Sequence, residues 1–166
     1  MSDLTERFRE IARHVAIPHP WDPAEFLRSV AEYRGRPITL HDATPEALAG
    51  TGCGTGSGLW IGLQDEDLIF YSADTEWHAD HIICHEVGHM LLGHGGDIEA
   101  AWELPLQSLL PSIPPEALRS VLRRSDYGTT RELEAESFAD LVMVEATLPR
   151  RQPSLTRSTF FRARHR

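Results

Sequence analysis

The sequence predicts an α+β fold, in which two helices precede a small, mostly antiparallel sheet and further helices follow it. The first observation is helical periodicity near the start, where apolar residues recur every three or four positions over residues 4–15 and 23–34. The second is a pair of apolar runs, 59–63 and 68–71, separated by a polar turn, which indicates a hairpin. The third is a last helical pattern over 130–146. Helices and strands are thus segregated rather than alternating.

Local signals give the limits of the elements. Asp22, followed by proline, marks the start of the second helix, and Gly35 marks its end. A short strand is expected over 37–41, and a helix over 79–92 that stops at a glycine-rich turn. A further short helix is expected to begin at Pro114 and to bury three apolar residues, Leu118, Val121 and Leu122.

Length and composition favour one domain over 1–148, with an arginine-rich, flexible tail over 149–166. The net charge is −9 although six arginines follow the last acidic residue, so the rest of the chain is strongly acidic. An acidic body argues against direct nucleic-acid binding. No apolar run reaches the roughly 20 residues that cross a bilayer. A charged start and two cysteines favour a cytoplasmic protein.

The segment His85-Glu86-Val87-Gly88-His89 is an HExxH motif within the helix predicted over 79–92. Residues four apart lie on one face of a helix, so both imidazoles can bind one ion. Zinc accepts histidine nitrogens and leaves a position for water in catalytic sites. His85 and His89 are therefore predicted metal ligands, and Glu86 is the predicted general base for attack of water on a carbonyl.

The third ligand is expected from the last helix, because the chain lacks a third histidine at the spacing HExxHxxGxxH. Glu132, Glu134 and Glu136 compete for the role. A helical wheel puts Glu134 at the edge of the apolar sector and the other two on the polar side with Asp140. A buried carboxylate is costly unless it is paired or binds metal, so Glu134 is the predicted ligand. The alternative is Glu136, with Asp140 orienting a ligand histidine.

With HEVGHMLLGH and, some forty residues later, ELEAESFADLVM, the chain resembles the ImmA/IrrE family of metallopeptidases, in particular its short actinobacterial members. The resemblance covers about half the chain and matches His85, Glu86, His89 and Glu134 to that family's motif residues. It implies a minimal zincin-like domain, Zn²⁺ as cofactor and a protein substrate, such as a helix-turn-helix repressor inactivated by regulatory proteolysis. The sequence departs from many members in lacking methionine directly before Pro149.

Two rival interpretations remain at this stage. A catalytically silent regulator of the same fold would keep the zinc ligands and act by binding a repressor or other protein. A closed structural zinc site would need a fourth protein ligand, for which Cys53 and Cys84 are the available thiols. Four residues are candidates for a hydrogen bond to the transition-state oxyanion: His78, His81, His94 and Tyr127. The sequence does not indicate an oligomeric state.

Overall fold

Five helices and four strands make up the described part of the chain. The structure, a computed structural model, describes residues 3–49, 57–95, 118–121 (backbone only) and 129–148. In chain order the elements are α1 (Asp3–Ile11), α2 (Pro23–Arg34), β1 (Ile38–Asp42), α3 (Pro45–Leu48), β2 (Gly58–Leu63), β3 (Asp67–Tyr71), α4 (Glu76–Leu92), β4 (Leu118–Val121) and α5 (Thr129–Thr147). The predicted α+β class is confirmed.

The four strands form one mixed sheet in the order β1-β3-β2-β4. β2 pairs antiparallel with both β3 and β4, and β1 pairs parallel with β3. The predicted hairpin of β2 and β3 is therefore confirmed, and two of the three pairings are antiparallel as expected. All six residues of β2 are buried. Burial of a whole strand explains why its sequence is continuously apolar rather than alternating.

Capping interactions define the limits of the two central helices. The side chain of Asp22 accepts hydrogen bonds from the backbone N–H groups of the first turn of α2, and Gly35 ends that helix with φ of 69°. Thr75 caps α4 in the same way, and Gly93 ends it with φ of 74°. α4 therefore begins at Glu76, three residues before the start that the sequence predicted, and ends at Leu92 as expected.

Two local expectations were wrong. The short helix expected from Pro114 is instead, over its described part, the strand β4, which pairs with residues 61–63 of β2. Pairing with a buried neighbouring strand outweighed a local helix signal that was only a few residues long. α1 ends at Ile11 rather than Val15, but Val15 still reaches the core through a following turn.

α4 occupies the centre of the molecule, because it contacts β2 and β3 of the sheet and also packs against α5. Its buried residues occur on several of its faces, as expected for a helix surrounded by protein. α1 covers α5, where the rings of Phe8 and Phe138 pack edge to face with centroids 5.5 Å apart. Within the described ranges, no helix is both long and apolar enough to cross a membrane.

Candidate metal centre

Two histidines of α4, His85 and His89, converge on one side of the helix. Their Nε2 atoms are 3.0 Å apart, because residues four positions apart lie on one helical face. The side chain of His89 is fully buried, and that of His85 is 13% exposed. Two ring nitrogens at this distance either share a proton or direct both lone pairs at a common cation. The HExxH motif therefore has the helical context that metal binding requires.

Glu132, in the first turn of α5, completes the group. Its Oε1 lies 3.1 Å from Nε2 of His89, and its Oε2 lies 3.5 Å from Nε2 of His85. Close packing of the two helices makes this approach possible. A Cβ atom at Gly88 would lie only 3.1 Å from the backbone oxygen of Ala135, so glycine lets α5 come near enough. One oxygen and two nitrogens thus meet within 4.8 Å of one another.

Glu134, the ligand that the sequence predicted, is directed elsewhere. Its Oε2 is 3.0 Å from Nε2 of His94, and its Oε1 is 3.8 Å from a guanidinium nitrogen of Arg7. These two partners account for a carboxylate at the edge of the apolar sector without a metal. Of the glutamates that compete for the role, Glu132 and not Glu134 lies beside the two imidazoles, so Glu132 is the candidate ligand in the structure. The helical wheel assigned its polar sector to solvent, whereas that sector faces the imidazoles of α4.

The separations between the donor atoms fit a small cation. Ligands 2.0–2.2 Å from a tetrahedral zinc ion lie about 3.3–3.5 Å from one another. Here the two Nε2 atoms are 3.0 Å apart, and the two oxygens of Glu132 lie 3.1 Å from His89 and 3.5 Å from His85. Among the described residues, Oε1 of Glu132 is buried and has no hydrogen bond of acceptable geometry. A bound cation would satisfy that oxygen. Two imidazoles and one carboxylate are a donor set that suits zinc.

Electrostatics at the centre favour a positive ion. Burial raises the pKa of Glu132, but its contacts with the imidazoles of His85 and His89 outweigh burial and lower that pKa to about 2. Burial lowers the pKa of His85, yet the contact with Glu132 and the negative charge of Glu86, together with Glu136, raise it overall. Glu132 therefore stays ionised and draws positive charge onto the ring of His85, which a divalent cation would supply instead.

The far nitrogen of each ring is also bonded. Nδ1 of His85 is 3.1 Å from Oε2 of Glu136. Nδ1 of His89 is 3.1 Å from Nδ1 of His94, whose Nε2 bonds Glu134. Carboxylates that bond the far nitrogen of a ligand histidine fix its orientation. Sequence reasoning included Glu136 as an alternative ligand but did not predict the link from His89 through His94 to Glu134.

A regular pattern could have indicated these contacts. Histidines recur every four residues on α4, and acidic residues recur every four residues on α5. The two rows run antiparallel and meet rung by rung, with the following members: His89 with Glu132, His85 with Glu136, and His81 with Asp140. Matching i, i+4 rows of opposite character on two helices is the signal that identifies Glu132.

Glu86 lies fully buried between α4 and the sheet. A Cβ atom at Gly58, the first residue of β2, would be 2.4 Å from Oε1 of Glu86 and 2.7 Å from Ile82. Glycine at this position therefore makes the space that the carboxylate occupies. The negative charge of Glu86 acts on His85. The predicted base is thus near enough to His85 to act on its ring electrostatically, and it lies against the first residue of β2.

The other candidate residues have different positions. His94 lies behind His89 rather than beside the donor atoms, and burial, together with the neighbouring His89, lowers its pKa against the opposing effect of Glu134. His78 is exposed in the first turn of α4. Cys84 is buried, and burial raises the pKa of its thiol, which makes it a poor metal ligand. Cys53, Tyr127 and the arginine-rich tail lie outside the described residues.

Comparisons of the chain with models of protein families, with curated proteins and with solved structures found no match. What the centre can do is therefore inferred from its own residues. Three donor atoms converge on one point, and the charge of the buried Glu86 acts on one of the two rings. Such an arrangement can hold a divalent cation and can accept a proton from water next to it.

Proposed function

We propose that this chain is a zinc-dependent endopeptidase with a minimal zincin-like domain, similar to the ImmA/IrrE metallopeptidases. His85, His89 and Glu132 hold the metal, and Glu86 is the general base. The observation that carries the proposal is the convergence of Glu132 from α5 on the two histidines of the HExxH helix. Glu86 is adjacent in sequence to the first of these histidines, is buried, and acts on the ring of His85 through its charge.

The chemistry follows from this donor set. Zinc held by these three residues would lower the pKa of a bound water and would polarise a carbonyl group. Glu86 takes the proton from the attacking water and delivers it to the leaving amine. Its burial against Gly58 holds the carboxylate in one place. Three ligands without a fourth protein donor among the described residues favour a catalytic rather than a closed structural site.

The substrate is a protein segment in an extended conformation. The peptide is expected to add as a strand to an edge of the sheet, where backbone hydrogen bonds would align it. A helix-turn-helix repressor is the substrate that the family resemblance suggests, and the site of action would be the cytoplasm.

The test compares the wild-type protein with Glu86→Gln and Glu132→Gln. The substrates are a fluorogenic peptide library and repressors encoded beside the gene. Glu86→Gln should retain zinc and lose hydrolysis by at least about 100-fold, because a general base contributes that much. Glu132→Gln should lose zinc as well. Glu76→Gln, an exposed acid on the same helix, is the matched control and should behave as wild type.

Two results would contradict the proposal. A wild-type protein that binds no zinc would exclude the metal, and a Glu86→Gln variant that hydrolyses peptides at the wild-type rate would exclude the base. If Glu86→Gln still inactivated the repressor while no peptide bond was cut, the silent regulator would be the better description. Metal content, peptide cleavage and repressor activity are therefore measured on the same preparations.

A further inference from the structure

A second group of metal-ligating side chains lies one turn nearer the start of α4. Nε2 of His81 is 3.4 Å from Oδ1 of Asp140 and 3.7 Å from Oε1 of Glu136. One ligand atom from each of these residues lies within 4.8 Å of the others. The group repeats the composition of the first centre, with imidazole from α4 and carboxylate from α5. It differs in having two carboxylates and one ring.

The charges of this group are poorly balanced without a cation. Glu136 and Asp140 are four residues apart on α5, and like charges at that spacing destabilise a helix. Within the part of the chain that the structure describes, their ion-pair partners are histidines and not arginines. Among the residues described, these two carboxylates thus share one site and face imidazole rings rather than guanidinium groups.

Glu136 joins this group to the first centre. Its Oε2 is 3.1 Å from Nδ1 of His85, while its Oε1 faces His81. If Nε2 of His85 binds zinc, its Nδ1 carries the proton and donates to Glu136. One carboxylate then orients a ligand of the first centre with one oxygen and offers the other oxygen to a second ion. The two groups are thus linked through a single side chain.

We propose that His81, Glu136 and Asp140 form a second binding site for a divalent cation of the zinc or manganese type. Imidazole with carboxylates is a donor set for such ions, and water completes the coordination shell. The side chains are 27%, 52% and 68% exposed, respectively, so a hydrated ion reaches them readily. The same exposure makes the second site weaker than the first, whose donors are more deeply buried.

Occupation of the second site alters the first. A cation at Oε1 withdraws charge from the Glu136 carboxylate, so Oε2 becomes a weaker acceptor for the N–H group of His85. Loss of such a partner typically reduces metal affinity or activity about 10–100-fold. Excess zinc should therefore inhibit the peptidase through Glu136. This effect on activity rests on the proposed function, whereas binding of the second ion does not.

The test titrates the metal-free full-length chain with Zn²⁺ and, separately, with Mn²⁺, by calorimetry and by competition with a chromogenic chelator. The wild type should bind two equivalents of Zn²⁺, one tight and one weak. His81→Gln and Asp140→Asn should each lose the weak equivalent and keep the tight one. Glu132→Gln should lose the tight equivalent and keep the weak one. Glu145→Gln removes an exposed acid from the same helix and should resemble wild type.

The outcomes distinguish a specific second cation site from nonspecific binding of cations. A wild type without a weak equivalent would overturn the proposal, as would a weak equivalent that His81→Gln and Asp140→Asn both leave unchanged. Loss of the weak equivalent in Glu145→Gln as well would mean general attraction to an acidic surface and would equally overturn it. A missing tight equivalent alongside an intact weak one would contradict the proposed function alone. Inhibition by excess zinc should be relieved in Asp140→Asn if the coupling exists.

Discussion

At the scale of single residues, His94 determines which nitrogen of His89 can carry the proton when His89 binds a metal. For Nε2 of His89 to present a lone pair to a metal, its Nδ1 must carry the proton and donate to Nδ1 of His94. His94 must then be neutral, with its own proton on Nε2 and directed at Glu134. Burial lowers the pKa of His94, which is consistent with a neutral ring. The chain of contacts ends at Arg7, which also donates to the carbonyl of Leu92.

We expect His94→Leu to weaken zinc binding about 10–100-fold, because the partner of a ligand histidine is lost. His94→Asn should lose less, since its amide oxygen can accept the hydrogen bond in place of Nδ1. His78→Leu, a change of an exposed histidine on α4, is the matched control. Zinc affinity is measured by chelator competition, with circular dichroism to verify folding. Equal affinity in wild type and His94→Leu would show that the ring does not position His89.

Only part of the centre was predictable from individual residues. His85, Glu86 and His89 follow from local spacing, because four residues on a helix fix the relation between two side chains. Glu132 was passed over for Glu134 because a helical wheel measures apolar surroundings and carries no information on which polar groups the facing helix presents. The partner of Glu134, His94, comes from beyond the end of α4. That contact depends on tertiary structure.

At the scale of elements, the centre depends on the distance between α4 and α5. Gly88 lies where the helices are closest, and a Cβ there would be 3.1–3.2 Å from the backbone of Ala135 and the ring of Phe138. Backbone atoms cannot yield as a flexible side chain can. The distance of Glu132 on α5 from the two histidines of α4 therefore depends on this contact at Gly88.

Gly88→Ala should therefore reduce both stability and zinc affinity. Overpacking costs about 1–3 kcal/mol, whereas alanine gains about 1 kcal/mol over glycine in helix propensity, so the net loss of stability is small. The loss of zinc affinity should be larger than that loss, because separating the helices withdraws Glu132 from both imidazoles. His78→Ala on the same helix is the control. Chemical denaturation measures the free energy of unfolding, and chelator competition measures the zinc affinity. An unchanged zinc affinity would mean that α4 and α5 accommodate the added methyl group without moving apart.

The elements that the sequence could predict are those whose limits are set by neighbouring residues. α2 is bounded by a capping aspartate and a left-handed glycine, which act within a few residues. The hairpin of β2 and β3 is likewise closed by a local turn. β4 is different, because its conformation comes from pairing with β2, more than fifty residues earlier. A local helix signal could not reveal that pairing.

At the scale of the whole molecule, the metal would join parts of the chain that are distant in sequence. The two histidines and Glu132 are separated by more than forty residues, so the unfolded chain does not present them together. α4 in turn contacts the sheet, and α1 covers α5. A ligand that binds only the folded chain stabilises it in proportion to its affinity. Zinc should therefore act on global stability and not only on activity.

We expect removal of zinc by a chelator to lower the melting temperature of the whole domain. At a free zinc concentration of 100 times Kd the stabilisation is about 2.7 kcal/mol, which corresponds to roughly 5–10 °C for a domain of this size. Glu132→Gln should show little of this shift, because it lacks one of the three ligands, and magnesium should not replace zinc. Calorimetric scans with and without chelator measure the difference. An equal shift in Glu132→Gln would place the stabilising ion elsewhere and would remove Glu132 from the centre.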